Sequence, residues 1–187
     1  MSIDEMIARF FHSVHMESVL NGTNEIFNNA IKNKNDALPI WDKLIIKLKE
    51  NDIVRGVRNI HYIPISGKFS AGIKDDSKIA ESVTVVVGFM INQIGVYYCH
   101  DNEKATIPIV DRYKNVYPHL SYYPFNKKQE EFARRIIEQV NIFFPKMELF
   151  NNFYASIKAK DVFIDAEIVK EIDFFQLAFH DDMHGFF

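Results

Sequence analysis

Between Ser82 and Ile91 the chain alternates Val83, Val85, Val87, Phe89 and Ile91 with Thr84, Val86, Gly88 and Met90. A period of two carried by β-branched and aromatic residues predicts a strand, and the low polar content of both its faces predicts cover by helices on at least one. Asn92-Gln93 supplies a tight turn, and Ile94–His100 returns as a second strand. Asp101–Lys104 is a further polar turn, and Ala105–Val110 reads as a third strand, with Pro108 placing it at a sheet edge or bulge. Residues 82–111 are thus expected to form a central antiparallel meander.

Helical spacing governs the opening third. Ser2 and Glu5 have capping-box spacing ahead of Ile7, Phe10, Phe11 and Val14, a stripe expected to run to about Leu20, where Asn21-Gly22 stops it. Thr23 caps a second predicted helix through Ile26, Phe27, Ala30 and Ile31. The polar stretch Lys32–Asp36 breaks it, and Pro39 opens a third through Trp41, Leu44, Ile45 and Leu48. Arg58, Ile60 and Tyr62 mark a strand within 53–65, and Phe69–Ile73 a hairpin partner for it.

Beyond the meander, Arg112–Phe125 reads as an aromatic loop. Asn126, with Gln129 three residues on, caps a helix whose stripe is Phe132, Ile136, Val140 and Phe143, closed by Pro145. A strand is expected within Phe153–Ile164. A last helix is expected from about Asp165 to His180, with Ile168, Ile172, Phe175 and Phe179 on one side and Glu167, Glu171 and Asp173 off it. This order predicts an α+β fold: an antiparallel sheet of about four to six strands, packed with N-terminal helices and two C-terminal helices. A length of 187 residues with no repeat and no low-complexity linker predicts a single domain, 1–187.

Charge changes the picture where composition does not. The formal net charge is −3, yet residues 161–187 carry seven carboxylates against Lys170 alone, leaving the remainder of the chain mildly basic. Segregated charge speaks to partners and association rather than to fold. The single Cys99 excludes an internal disulfide and suits a reducing interior. The first residues lack the basic and apolar regions of a signal peptide, and the longest near-apolar run, Val83–Ile91, is half a membrane span. The expectation is a soluble, cytoplasmic protein with no membrane partner; the heavy use of Asn, Lys, Ile and Phe fits an AT-rich microbial genome.

No motif forces a chemistry. His180 and His184 stand at i, i+4 and could share a metal in a hydrolase, but Asp181 replaces the Glu of the zinc-protease pattern and no third ligand follows; the plainer reading is a solvated helix end. Cys99 and His100 are strand neighbours pointing to opposite faces, so they form no thiol dyad, and Cys99 reads as a core residue. His12 and His15 read as a surface pair, and Asp75, Asp76 and Glu81 as a polar loop. Ser66-Gly67-Lys68 lacks the first glycine and the final hydroxyl of a phosphate loop. The chain therefore reads as non-catalytic, with no cofactor.

Two features point to a partner. Tyr113, Tyr117, Tyr122, Tyr123 and Phe125 are interleaved with Arg112, Lys114, His119, Lys127 and Lys128. Tyrosines dominate protein hot spots, and they also stack on single-stranded nucleic acid. The negative net charge and the lack of a basic patch weigh against nucleic acid. In the C-terminal segment, Glu167, Glu171, Asp173, Asp181 and Asp182 form an expected acidic surface, suited to a protein with a basic cleft such as a toxin or nuclease. The functional expectation is a sequestering protein of the immunity or antitoxin type.

Overall fold

A computed structural model of the chain describes residues 3–8, 16–50, 57–60, 66–72, 82–100, 119–164 and 167–179. The fold is α+β. Its frame is a six-stranded sheet in the order β1 (Val57–Ile60), β2 (Ser66–Gly72), β3 (Ser82–Gly88), β4 (Gln93–His100) and β5 (His119–Ser121), with each neighbouring pair antiparallel. A sixth strand, β6 (Glu148–Leu149), runs parallel to the start of β4. A separate antiparallel ribbon joins β7 (Lys158–Ile164) to β8 (Glu167–Asp173).

The β3–β4 hairpin is present, pairing Ser82 opposite Cys99 through Gly88 opposite Gln93. Its first strand ends at Gly88 rather than Ile91, and the connection is the turn Phe89–Asn92 rather than Asn92-Gln93, with Asn92 in the left-handed region that asparagine tolerates. Ser66-Gly67-Lys68 lies in the β2 ladder opposite Val86–Gly88, which leaves it no freedom to act as a phosphate loop. The expected third meander strand, Ala105–Val110, lies outside the described residues, as do Tyr113 and Tyr117.

Both faces of β3 and β4 are covered, because neither face of the run is polar. On one face Val83, Val85, Val87, Ile94, Val96 and Tyr98 pack against Trp41, Leu44, Ile45 and Leu48 of α3 (Glu25–Glu50) and against Ala133, Ile136 and Val140 of α4 (Lys127–Phe143). On the other, Val86, Tyr97 and Cys99 pack with the ribbon and with α5 (Phe174–Phe179). Cys99 and His100 are divided accordingly: Cys99 is buried on the ribbon side, while the His100 ring stacks on Phe125, which packs against the other core.

Two helical expectations need correction. Of the first predicted helix, the ends are helical as α1 (Ile3–Met6) and α2 (Met16–Leu20), while residues 9–15, with Phe10, Phe11 and Val14 of its stripe, lie outside the described residues; Gly22, at φ +69°, follows the end of α2. The second and third predicted helices are one, α3, which runs through Lys32–Asp36 and Pro39. Asn24, rather than Thr23, caps it, its Oδ1 accepting from the Phe27 N–H at 2.9 Å. The buried stripe bridges the polar stretch through Ala30 and Ala37, two small residues at heptad spacing that carry little hydrophobic signal.

The predicted helix from 165 is the strand β8 followed by the six-residue α5. Ile168, Val169 and Ile172 are β-branched, and pairing with β7 overrides the helical spacing of 168, 172, 175 and 179. All six residues of α5 are buried, so it has no polar face to advertise it.

The cap of α4 is as expected on one side: Asn126 Oδ1 accepts from the Gln129 N–H at 2.9 Å. The Gln129 side chain reaches back one residue past the cap, its Oε1 accepting from the Phe125 N–H, and its amide donates to the Cys99 carbonyl at 2.8 Å. That bond fastens the helix start to β4.

Beside it, burial pushes the Tyr98 phenol up to about 12, and the Glu130 carboxylate adds to the rise. A raised pKa means the folded state favours the protonated phenol. Its contribution is complete below the unfolded value, roughly 10, and is lost as pH climbs through the folded one. Between pH 10 and 12 the wild-type chain should lose on the order of 2 kcal/mol more stability than Tyr98→Phe. Urea titrations of both chains across that range test this; parallel losses contradict it.

Candidate interaction surface

Tyr122 and Tyr123 follow β5 directly and separate to opposite environments. Tyr122 is buried, its ring 5.0 Å from that of Phe175, and its hydroxyl donates to Asp173 Oδ2 at 3.0 Å. Tyr123 turns outward, with its N–H donating to Ser121 Oγ at 3.0 Å and its hydroxyl to the Asn152 carbonyl at 3.3 Å. The Asn152 side-chain amide in turn donates to the Tyr122 carbonyl. The aromatic stretch after β5 is thereby tied to a second segment thirty residues away.

That second segment is a 3₁₀ turn, Asn152–Tyr154, capped by Asn151, whose Oδ1 accepts from the Phe153 N–H at 3.0 Å. Phe153 is 75% exposed and meets Tyr154 edge to face at 5.5 Å. Tyr123, Tyr154 and Ile157, each more than a third exposed, belong to the same two linked segments. The base beneath is rigid. Phe150 is buried against the rings of Phe174, Phe175 and Phe179, and Ala155 is fully buried. The Phe174 and Phe175 N–H groups donate to the carbonyls of Ile157 and Ala155 at 2.7 and 3.1 Å. An exposed aromatic pair on a fixed turn presents large contact area and loses little entropy on docking.

The acidic segment is placed differently from the expectation. Asp173 is 4% exposed. Lys158 Nζ stands 2.7 Å from its Oδ1 as a close ion pair, and Oδ2 takes the Tyr122 hydroxyl. Asp173 and Tyr122 thus hold each other inside the fold, with Lys158 reaching them from the surface, and neither Asp173 nor Tyr122 is presented to a partner. Glu171 is exposed on β8, directly across the ladder from exposed Lys160. Glu167 begins β8, while Asp181, Asp182, His180 and His184 lie outside the described residues.

Phe153 and Tyr154 were not among the expected site residues. Their one sequence signal is local: two aromatics directly after Asn151-Asn152, turn-formers that leave an adjacent ring no strand or helix face to bury. Among the described residues no three potential metal ligands gather, and no helix is long and apolar enough to cross a membrane. Compared with protein-family models, curated proteins and solved structures, the chain matches none.

Proposed function

We propose that this chain is a non-catalytic binding protein that sequesters another protein, docking it on the face formed by Tyr123, Phe153, Tyr154 and Ile157. The observation that carries the reading is Phe153, a large ring three-quarters exposed on a turn held by the core. Leaving such a ring in water forgoes roughly 2 kcal/mol of burial, which a partner recovers. The partner we propose bears a basic face, of the kind a toxin or nuclease presents, because residues 161–187 remain acidic even with Asp173 committed to Lys158. On this reading the aromatics set residence time, while Glu171 and the other carboxylates of that segment speed encounter. A cytoplasmic, toxin-neutralising role is the form of sequestration that these features fit.

Affinity capture from the native cell, run in parallel with wild-type, Phe153→Ala and Ile142→Ala chains, tests it. Ile142 is also well exposed, but on α4, over the other face of the sheet. One protein should be held by the wild-type and Ile142→Ala chains and lost from Phe153→Ala, with all three melting together. Equal capture by all three chains, or by none, counts against the reading.

A further inference from the structure

We infer that His100 and His119 form a two-histidine chelate for a borderline divalent ion of the zinc type. The β4–β5 register sets these residues directly opposite one another, and antiparallel partners project from the same face of a sheet. Their Cβ atoms are therefore about 4.5–5.5 Å apart, a gap that one ion about 2.0–2.1 Å from each imidazole nitrogen can bridge. Both residues are half-buried, neither lost to the core nor fully hydrated. The His100 ring is further oriented by its stack on Phe125, at 5.2 Å and 29°.

Imidazole pairs suit Zn(II), Ni(II) and Cu(II), and reject Mg(II) and Ca(II), which take oxygen ligands. Two imidazoles leave further positions on the ion, to be filled by water or by another donor.

Occupancy has a mechanical consequence. Strand β5 is three residues long and ends immediately before Tyr122 and Tyr123. An ion shared across the ladder pins that strand to β4 and with it the start of the aromatic segment. Binding to the folded chain alone also raises stability by mass action.

Untagged full-length protein titrated with zinc chloride by calorimetry, and melted in zinc and in EDTA, decides the matter. Wild type should bind one ion at this site and melt higher in zinc than in EDTA. His119→Gln and His100→Gln should each weaken binding at least tenfold and lose the zinc-dependent shift, each being compared with its own EDTA melt so that any loss of basal stability cancels. A His180→Gln/His184→Gln chain should retain both. Absence of binding by wild type, binding unchanged in His119→Gln and His100→Gln, or loss confined to the His180/His184 variant would overturn the assignment.

Discussion

Gly95→Ala is expected to be among the most damaging single-methyl additions in this protein. Gly95 sits mid-β4 opposite Val86, and an added Cβ would stand 2.5 and 2.6 Å from ring atoms of Phe179 and 2.7 Å from Phe175. A Cβ added at Gly88, on β3, would stand 3.0 Å from the same Phe179 ring. The two glycines make the recess in which α5 seats its phenyl rings. Those rings are fully buried, wedged between the sheet and Phe150, and cannot yield without moving α5. Overpacking of this kind costs about 3 kcal/mol, which for a chain of this size lowers the melting temperature by about 6–12 °C. Trimming the obstructing ring in Gly95→Ala/Phe179→Leu should cost less than the sum of the two single changes, because the second relieves the first. A Gly95→Ala chain melting within a degree of wild type, or simple additivity in the pair, would show that α5 is not seated in this recess.

Lys158→Met should be the second large effect, and an asymmetric one. The carboxylate of Asp173 is buried, and its only described partners are the Lys158 ammonium and the Tyr122 hydroxyl. Removing one member of a buried pair strands the other in a medium that penalises charge, at a cost of roughly 3–5 kcal/mol when both are fully buried. The Lys158 side chain is 38% exposed, so solvent already screens part of the attraction, and a cost of about 2 kcal/mol is the reasonable scale. Lys158→Met/Asp173→Asn should recover much of it, because a neutral amide can still take the Tyr122 bond without a stranded charge. Chemical denaturation of the two single variants and the double variant measures this. A double variant as unstable as the sum of the singles would show that Asp173 owes nothing to Lys158.

These two sites also show which parts of the fold can be read from the chain. The β3–β4 hairpin was legible because its alternation is local and tolerates no other period, and α4 was legible because Asn126, Gln129 and its apolar stripe agree. β8 was not: Ile168, Ile172, Phe175 and Phe179 meet the helical spacing as well as any true helix does, and only the ladder with β7 decides against it. The same ladder brings Lys158 to Asp173 across fifteen residues, a neutralisation that charge counting along the sequence cannot see. Of the candidate surface, Tyr123 was anticipated and Tyr122 was misplaced, since adjacent residues of an extended segment go to opposite sides and nothing in two consecutive tyrosines says which goes in. Phe153 was hidden because a lone exposed ring breaks the rule of burial and obeys no period.

Sequestration by this chain requires the Phe153 ring to be a contact. Once the captured protein is identified, its dissociation constant should be measured against wild-type and Phe153→Ala chains at low and at physiological salt. Loss of a central hot spot costs about 2 kcal/mol, so the constant should rise about thirtyfold, chiefly through faster dissociation, at both salt concentrations. A constant unchanged by Phe153→Ala, in a chain that folds and melts as wild type does, would place the binding face elsewhere and contradict the proposal.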